Sequence, residues 1–310
     1  MRASRRVTIT ASVLLLGCML GSAVLLHRVD QVRTGATLQE ILYITSPKVL
    51  KRMSLGYEGL LADVYWTRAV QYFGRKHMAY SQHYDLLAPL LEITTALDPH
   101  LVVAYQFGAS FLAPHPPNGA GMPERAIHLM EYGIQNNPDD WKLYYNLGFI
   151  YYYMDKKDYA SAAEVFERGT KVANAHPFMK ILAAQMAQHA GDLQTARMLW
   201  LATYQTTQEK QIRANAVAHL RALQVDEDVM HLQDAVTQYG RRTGHLPSSM
   251  SSLVAAGMLR GIPVDPDGHP YKLMPDGRIE VRQPDDFPFI EKGMPLGYKP
   301  PAKPKFKSLE

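Results

Sequence analysis

Imidazoles are the groups in this chain best suited to bind metals or move protons near neutral pH, and the chain holds twelve of them. Their spacing argues against such use. There is no HExxH and no His-x-His pair. His83, His128, His189 and His219 fall on predicted helices, as surface or packing residues. His176 and His269 each precede a proline and read as turn residues. Asp265, Asp267 and Asp276 are candidate carboxylates for calcium, but their spacing matches no EF-hand, and turn formation explains them more simply. Gly119-Ala120-Gly121 lacks the strand and lysine that phosphate binding needs, and no GxSxG, P-loop or GxGxxG occurs. A single cysteine, Cys18, excludes an intrachain disulfide and a Cys-rich zinc site. The expectation is a chain with no catalytic residue, no metal and no cofactor.

Elements come next. Apolar residues make up 47% and charged ones 20% of the 310 residues, so most of the chain can bury a core. A formal net charge of +4 is too balanced for a dedicated nucleic-acid binder. Val7 to Leu26 is an uncharged run of 20 residues preceded by Arg2, Arg5 and Arg6. At about 1.5 Å per helical residue it matches the roughly 30 Å hydrocarbon core of a bilayer. Basic residues tend to stay cytoplasmic, which places the N-terminus inside and the rest outside. An uncleaved signal anchor in a bacterial inner membrane is the favoured reading. A cleaved signal peptide is one alternative. A lipoprotein is another, because Leu15-Leu16-Gly17-Cys18 resembles a lipobox.

Helical periodicity follows. Leu60, Leu61, Val64, Tyr65, Ala69, Tyr72 and Phe73 recur at three and four residues. The stretch LYYNLGFIYYYMDKKDYASAAEVFERGTKVANAHP carries Tyr144, Leu147, Gly148 and Tyr151, then Ala162 and Phe166, then Pro177. That spacing resembles the tetratricopeptide repeat family. Phe107, Gly108, Phe111, Ala126, Met130 and Pro138 continue it upstream, and Ala196 and Trp200 downstream. The closing prolines Pro99, Pro138 and Pro177 lie 39 residues apart. The resemblance covers about residues 60–205. It implies a right-handed superhelix of helix pairs, whose first helices line a concave groove. Counted from Tyr144, the groove residues would be Lys142, Tyr145, Asn146, Phe149, Tyr152 and Tyr153. Tyr105 and Gln106 would join them from the preceding unit, and Gln185 and His189 from the following one. Tyrosine offers an apolar face plus a hydroxyl, and asparagine can bond a peptide backbone. A protein or peptide partner is the expected occupant.

Helices at about Gln208–Leu223 and Val225–Tyr239 would cap the stack. Beyond them, Tyr239, Gly244, Pro247, Leu253, Leu259, Ile262-Pro263, Asp265-Pro266, Gly268 and Pro270-Tyr271 resemble the globular part of type II secretion major pseudopilins. Gly244 can stop a helix, a short helix over Ser251–Met258 can follow, and Asp276-Gly277 can turn a hairpin between Tyr271–Leu273 and Arg278–Val281. The last stretch, rich in Pro, Gly and Lys, reads as a mobile tail.

The fold expected is mainly α: a TPR-like α-solenoid after an N-terminal transmembrane helix, closed by a small α+β module. The divisions are 1–6 cytoplasmic, 7–26 anchor, 27–58 linker and entry helix, 59–224 repeats, 225–281 module and 282–310 tail. The function expected is a membrane-anchored scaffold for a cell-envelope partner, serving secretion or surface assembly. The alternatives are a subunit that self-assembles through the pseudopilin-like module and a lipoprotein with a ligand-binding repeat domain.

Overall fold

The computed structural model describes residues 14–25, 28, 46–153 and 157–301. Residues 7–13 and 26 of the anchor expected at 7–26 lie outside the described residues. Residues 14–25 are helical and exposed. Among the described residues no helix is long and apolar enough to cross a membrane.

The chain is mainly helical and forms two compact units, divided after Met122. In the first, α1 (Pro47–Met53) begins at Pro47, whose missing N–H costs nothing in a first turn. α2 (Glu58–Met78), α3 (Leu87–Leu97) and α4 (Val102–Leu112) pack in sequence, and α1 rests on α3. α2 stops at Met78, so His83 lies in the irregular segment before α3 rather than on a helix. The Pro-rich segment before Met122 closes this unit: the Tyr84 hydroxyl donates to the Pro117 carbonyl at 2.7 Å, and the His77 ring bonds the same oxygen.

In the second unit α5 (Pro123–Asn136), α6 (Trp141–Tyr153), α7 (Tyr159–Thr170), α8 (Phe178–His189), α9 (Leu193–Thr206) and α10 (Lys210–Thr243) each pack against the next. Consecutive helix packing of this kind is compatible with a helical repeat fold. Small residues set the approach. A Cβ added at Gly148 of α6 would lie 2.5 Å from the Phe166 ring of α7, and one at Gly169 would lie 2.8 Å from Tyr144 Cβ. Ala126, Ala162 and Ala196 are fully buried. One bond recurs across the units: the Tyr105 hydroxyl donates to the Pro99 carbonyl, and the Tyr144 hydroxyl, 39 residues on, to the Pro138 carbonyl. Asp158 and Asp192 cap α7 and α9 alike, each accepting the N–H three residues ahead.

Two expectations need correction. Helices expected at 208–223 and 225–239 form one continuous 34-residue helix, α10. No breaker stands at Gln224, and the helix runs to Gly244, whose φ of +79° ends it. The second correction concerns residues beyond 281. Phe287 and Ile290 are buried in the same core as Val229, Leu232, Val236, Leu253, Tyr271 and Ile279. Residues 287–290 of the expected tail are thus packed, not free.

The hairpin stands where the turn chemistry put it. β1 (Lys272–Leu273) pairs antiparallel with β2 (Ile279–Glu280), with Lys272 opposite Glu280. Asp276 accepts the Arg278 N–H, and Gly277 sits at φ +85°. The short helix α11 (Met250–Ala255) is capped by Ser249.

Candidate functional site

Helix α6 carries six of the ten residues expected in the groove. Leu143, Tyr144, Leu147, Gly148 and Ile150 face the core. A second set, spaced by four residues, is only half-buried: Trp141, Tyr145 and Phe149, continued by Tyr153. These rings touch in series. Trp141 meets Tyr145 edge-on at 6.2 Å, Tyr145 meets Phe149 at 4.7 Å, and Phe149 stacks on Tyr153 at 5.7 Å. Tyr152 lies 5.0 Å from Tyr153 and carries the Lys157 ammonium over its ring. Phe166 backs Phe149 and Tyr145 from α7. Tyr153 ends the stripe with 74% of its surface exposed.

The ladder continues onto other helices. Tyr152 meets Tyr159 of α7, and Tyr159 meets His189 of α8. His189 in turn pairs with Glu291. Asn146 and Gln185 are half-buried, and neither amide is hydrogen-bonded within the described residues. Lys142 is exposed, its backbone N–H held by Asp140.

The two remaining residues belong to the first unit. Tyr105 is fully buried with its hydroxyl committed to Pro99, so it offers no surface to a partner. This corrects the groove expectation: Tyr105 occupies the structural position that Tyr144 has in the next repeat. Gln106 is half-buried. Sequence reasoning missed Trp141 and Tyr159. Trp141 stands four residues before Tyr145, so extending the period by one turn finds it. Tyr159 lies on a second helix, which counting along first helices cannot reach.

What the ladder presents is ring faces, a few phenolic hydroxyls, two unbonded amides and one lysine. It suits an extended chain with apolar side chains and free backbone groups. Among the described residues no group of three His, Cys, Asp or Glu could hold a metal. The three carboxylates weighed for calcium are engaged otherwise. Asp265 accepts the Asp267 and His269 N–H groups, Asp267 pairs with Arg221, and Asp276 with Arg278.

Two strong electrostatic perturbations lie where residues 287–293 meet α8 and α10. His219 is sandwiched between Trp200 and Phe289, with ring centroids 4.0 and 3.8 Å away. Gln188 donates its amide N–H to the Phe289 carbonyl, so its oxygen accepts the hydrogen bond that His219 Nδ1–H donates at 2.9 Å. That fixes the neutral tautomer. Burial, with a smaller effect from His189, lowers the His219 pKa to about 3. About two helical turns along α10, Asp226 Oδ1 accepts the N–H groups of Glu291 and Lys292 at 2.9 and 2.8 Å. Burial outweighs those bonds and raises the Asp226 pKa to about 6. Neither group reaches open surface, which makes them fasteners for the terminal segment. In comparisons with known proteins, the chain matches no protein-family model and no curated protein.

Proposed function

We propose that this chain is a non-enzymatic scaffold of the tetratricopeptide type, and that it holds an extended peptide segment of a partner protein against the α6 ladder. The observation that carries this reading is the half-buried aromatic stripe from Trp141 to Tyr153, flanked by the unbonded amides of Asn146 and Gln185. Packed aromatic rings lose little freedom when a ligand covers them, so they make effective anchors. The spare amides supply the hydrogen bonds that an extended backbone demands. The repeated tyrosine–proline bond and the Gly148–Phe166 approach support the tetratricopeptide reading.

The apolar run 7–26 would anchor the chain in a bacterial inner membrane, with the helical units outside the cytoplasm. The module after α10 resembles a pseudopilin head by its sequence, which points to secretion or surface assembly as the process served. That link is an analogy of sequence pattern.

The test is crosslinking pull-down from native membranes with wild type and with the Tyr145→Ala/Asn146→Ala variant. Tyr153→Ala supplies a cleaner second variant, because a side chain so exposed contributes little to the fold. Each variant should lose the partner that wild type captures. An unchanged partner set would overturn the ladder as the binding surface.

A further inference from the structure

The first unit exposes apolar residues that its own core does not use. Leu50 is the one buried residue of α1, while Val49 and Met53 of the same helix are 45% and 61% exposed. The turn that follows holds Leu55 at φ +51° and 86% exposed, then Gly56 at φ +95° and Tyr57 at 70%. Leu60 and Val64 continue this exposure along the first turns of α2, at 65% and 47%. A leucine in the left-handed region is strained, and here the strain gains no burial within the chain. Lys48, Lys51 and Arg52 stand exposed on α1 beside this turn, unpaired with any described acid. Glu58 and Asp63 are the acidic residues of this stretch, both on α2.

We propose that α1, the Leu55 turn and the start of α2 form a membrane-interface surface, with Leu55 and Tyr57 dipping among lipid headgroups and the α1 cations meeting anionic lipid. Apolar side chains beside lysine and arginine are the composition that settles into a bilayer interface. A second copy of the chain fits less well, because symmetric pairing of this face would bring the same cations together. The inference rests on the reading that residues 7–26 anchor the chain. Only twenty residues separate Leu26 from Pro47. Even fully extended they reach about 70 Å at most, so α1 stays at high effective concentration near the bilayer.

The test uses the full chain with Cys18→Ser and Leu60→Cys, labelled at position 60 with a polarity-sensitive fluorophore. It is reconstituted into vesicles of phosphatidylcholine and phosphatidylglycerol in equal parts, with pure phosphatidylcholine vesicles and detergent micelles alongside. The expected result is blue-shifted emission in the mixed vesicles, at least halved by headgroup-level nitroxide lipid. Lys51→Glu/Arg52→Glu should remove most of that quenching. A chain that floats with the vesicles yet shows no quenching at position 60 overturns this surface and leaves the anchor intact. A chain that does not float overturns both. A shift in micelles that grows with protein concentration would assign the face to a second copy. Equal quenching in both vesicle types would overturn the role of anionic lipid.

Discussion

Replacing Asp226 with asparagine should remove one pH-dependent term from the hold on residues 287–293 and leave its hydrogen bonds in place. Asparagine keeps an oxygen where Oδ1 now accepts the Glu291 and Lys292 N–H groups. The folded pKa of Asp226, about 6, stands above its ordinary 3.8. The folded state therefore holds the proton more tightly. The stability this contributes is full below pH 3.8 and is lost as pH rises through 6. The difference is worth about 3 kcal/mol, at roughly 1.4 kcal/mol per pH unit. His219 has the opposite sign. Its folded pKa, about 3, lies below 6.5, so its contribution is full above pH 6.5 and is lost as pH falls toward 3. In the wild type the two slopes oppose each other between about pH 4 and 6. Asp226→Asn leaves the His219 slope uncompensated. Relative to wild type, its opening free energy at residues 287–293 should fall by about 2 kcal/mol between pH 7 and pH 4. Hydrogen-exchange mass spectrometry of peptides spanning that segment, corrected for intrinsic exchange at each pH, reads this directly. A variant-minus-wild-type difference that is the same at both pH values would refute the electrostatic account of the fastener.

Three further substitutions test the packing. Gly148→Ala places a methyl 2.5 Å from the Phe166 ring and should cost about 1–3 kcal/mol in thermal unfolding, with partial rescue by Phe166→Leu. Gly244→Ala meets no atom within 4 Å, so backbone strain at φ +79° alone should cost about 1–2 kcal/mol. Gly293→Ala combines both effects, with φ +77° and Val229 2.8 Å from the added carbon, and should loosen residues 287–293 more than Gly244→Ala does.

Side chains whose contacts are local in sequence were legible before the structure. Tyr144, Gly148, Ala162 and Phe166 sit within one helix pair, so their spacing carries the packing. Asp276-Gly277 announces its hairpin because the turn chemistry is contained in four residues. Residues 287–293 were not legible, for a physical reason. Their fastening uses backbone N–H groups on a carboxylate 65 and 66 positions away, and backbone groups leave no mark in a sequence. Phe287, Phe289 and Ile290 were the available signal, masked by the proline and lysine around them. α10 was divided in expectation because its apolar face changes partner midway, from Trp200 and Ala184 to the module core. A helix that serves two cores shows two patterns and one backbone. In the ladder, the α6 residues shared a readable period, whereas Tyr159 joins it through tertiary packing alone.

The central claim is that the α6 ladder holds another protein. Photocrosslinking from position 153 in native membranes tests it most directly, with a benzophenone amino acid in place of Tyr153 and a second chain carrying it at the exposed position 194. The account predicts one protein adduct from position 153, absent from position 194 and lost with Tyr145→Ala/Asn146→Ala. No adduct from position 153, or the same adduct from both positions, would contradict it.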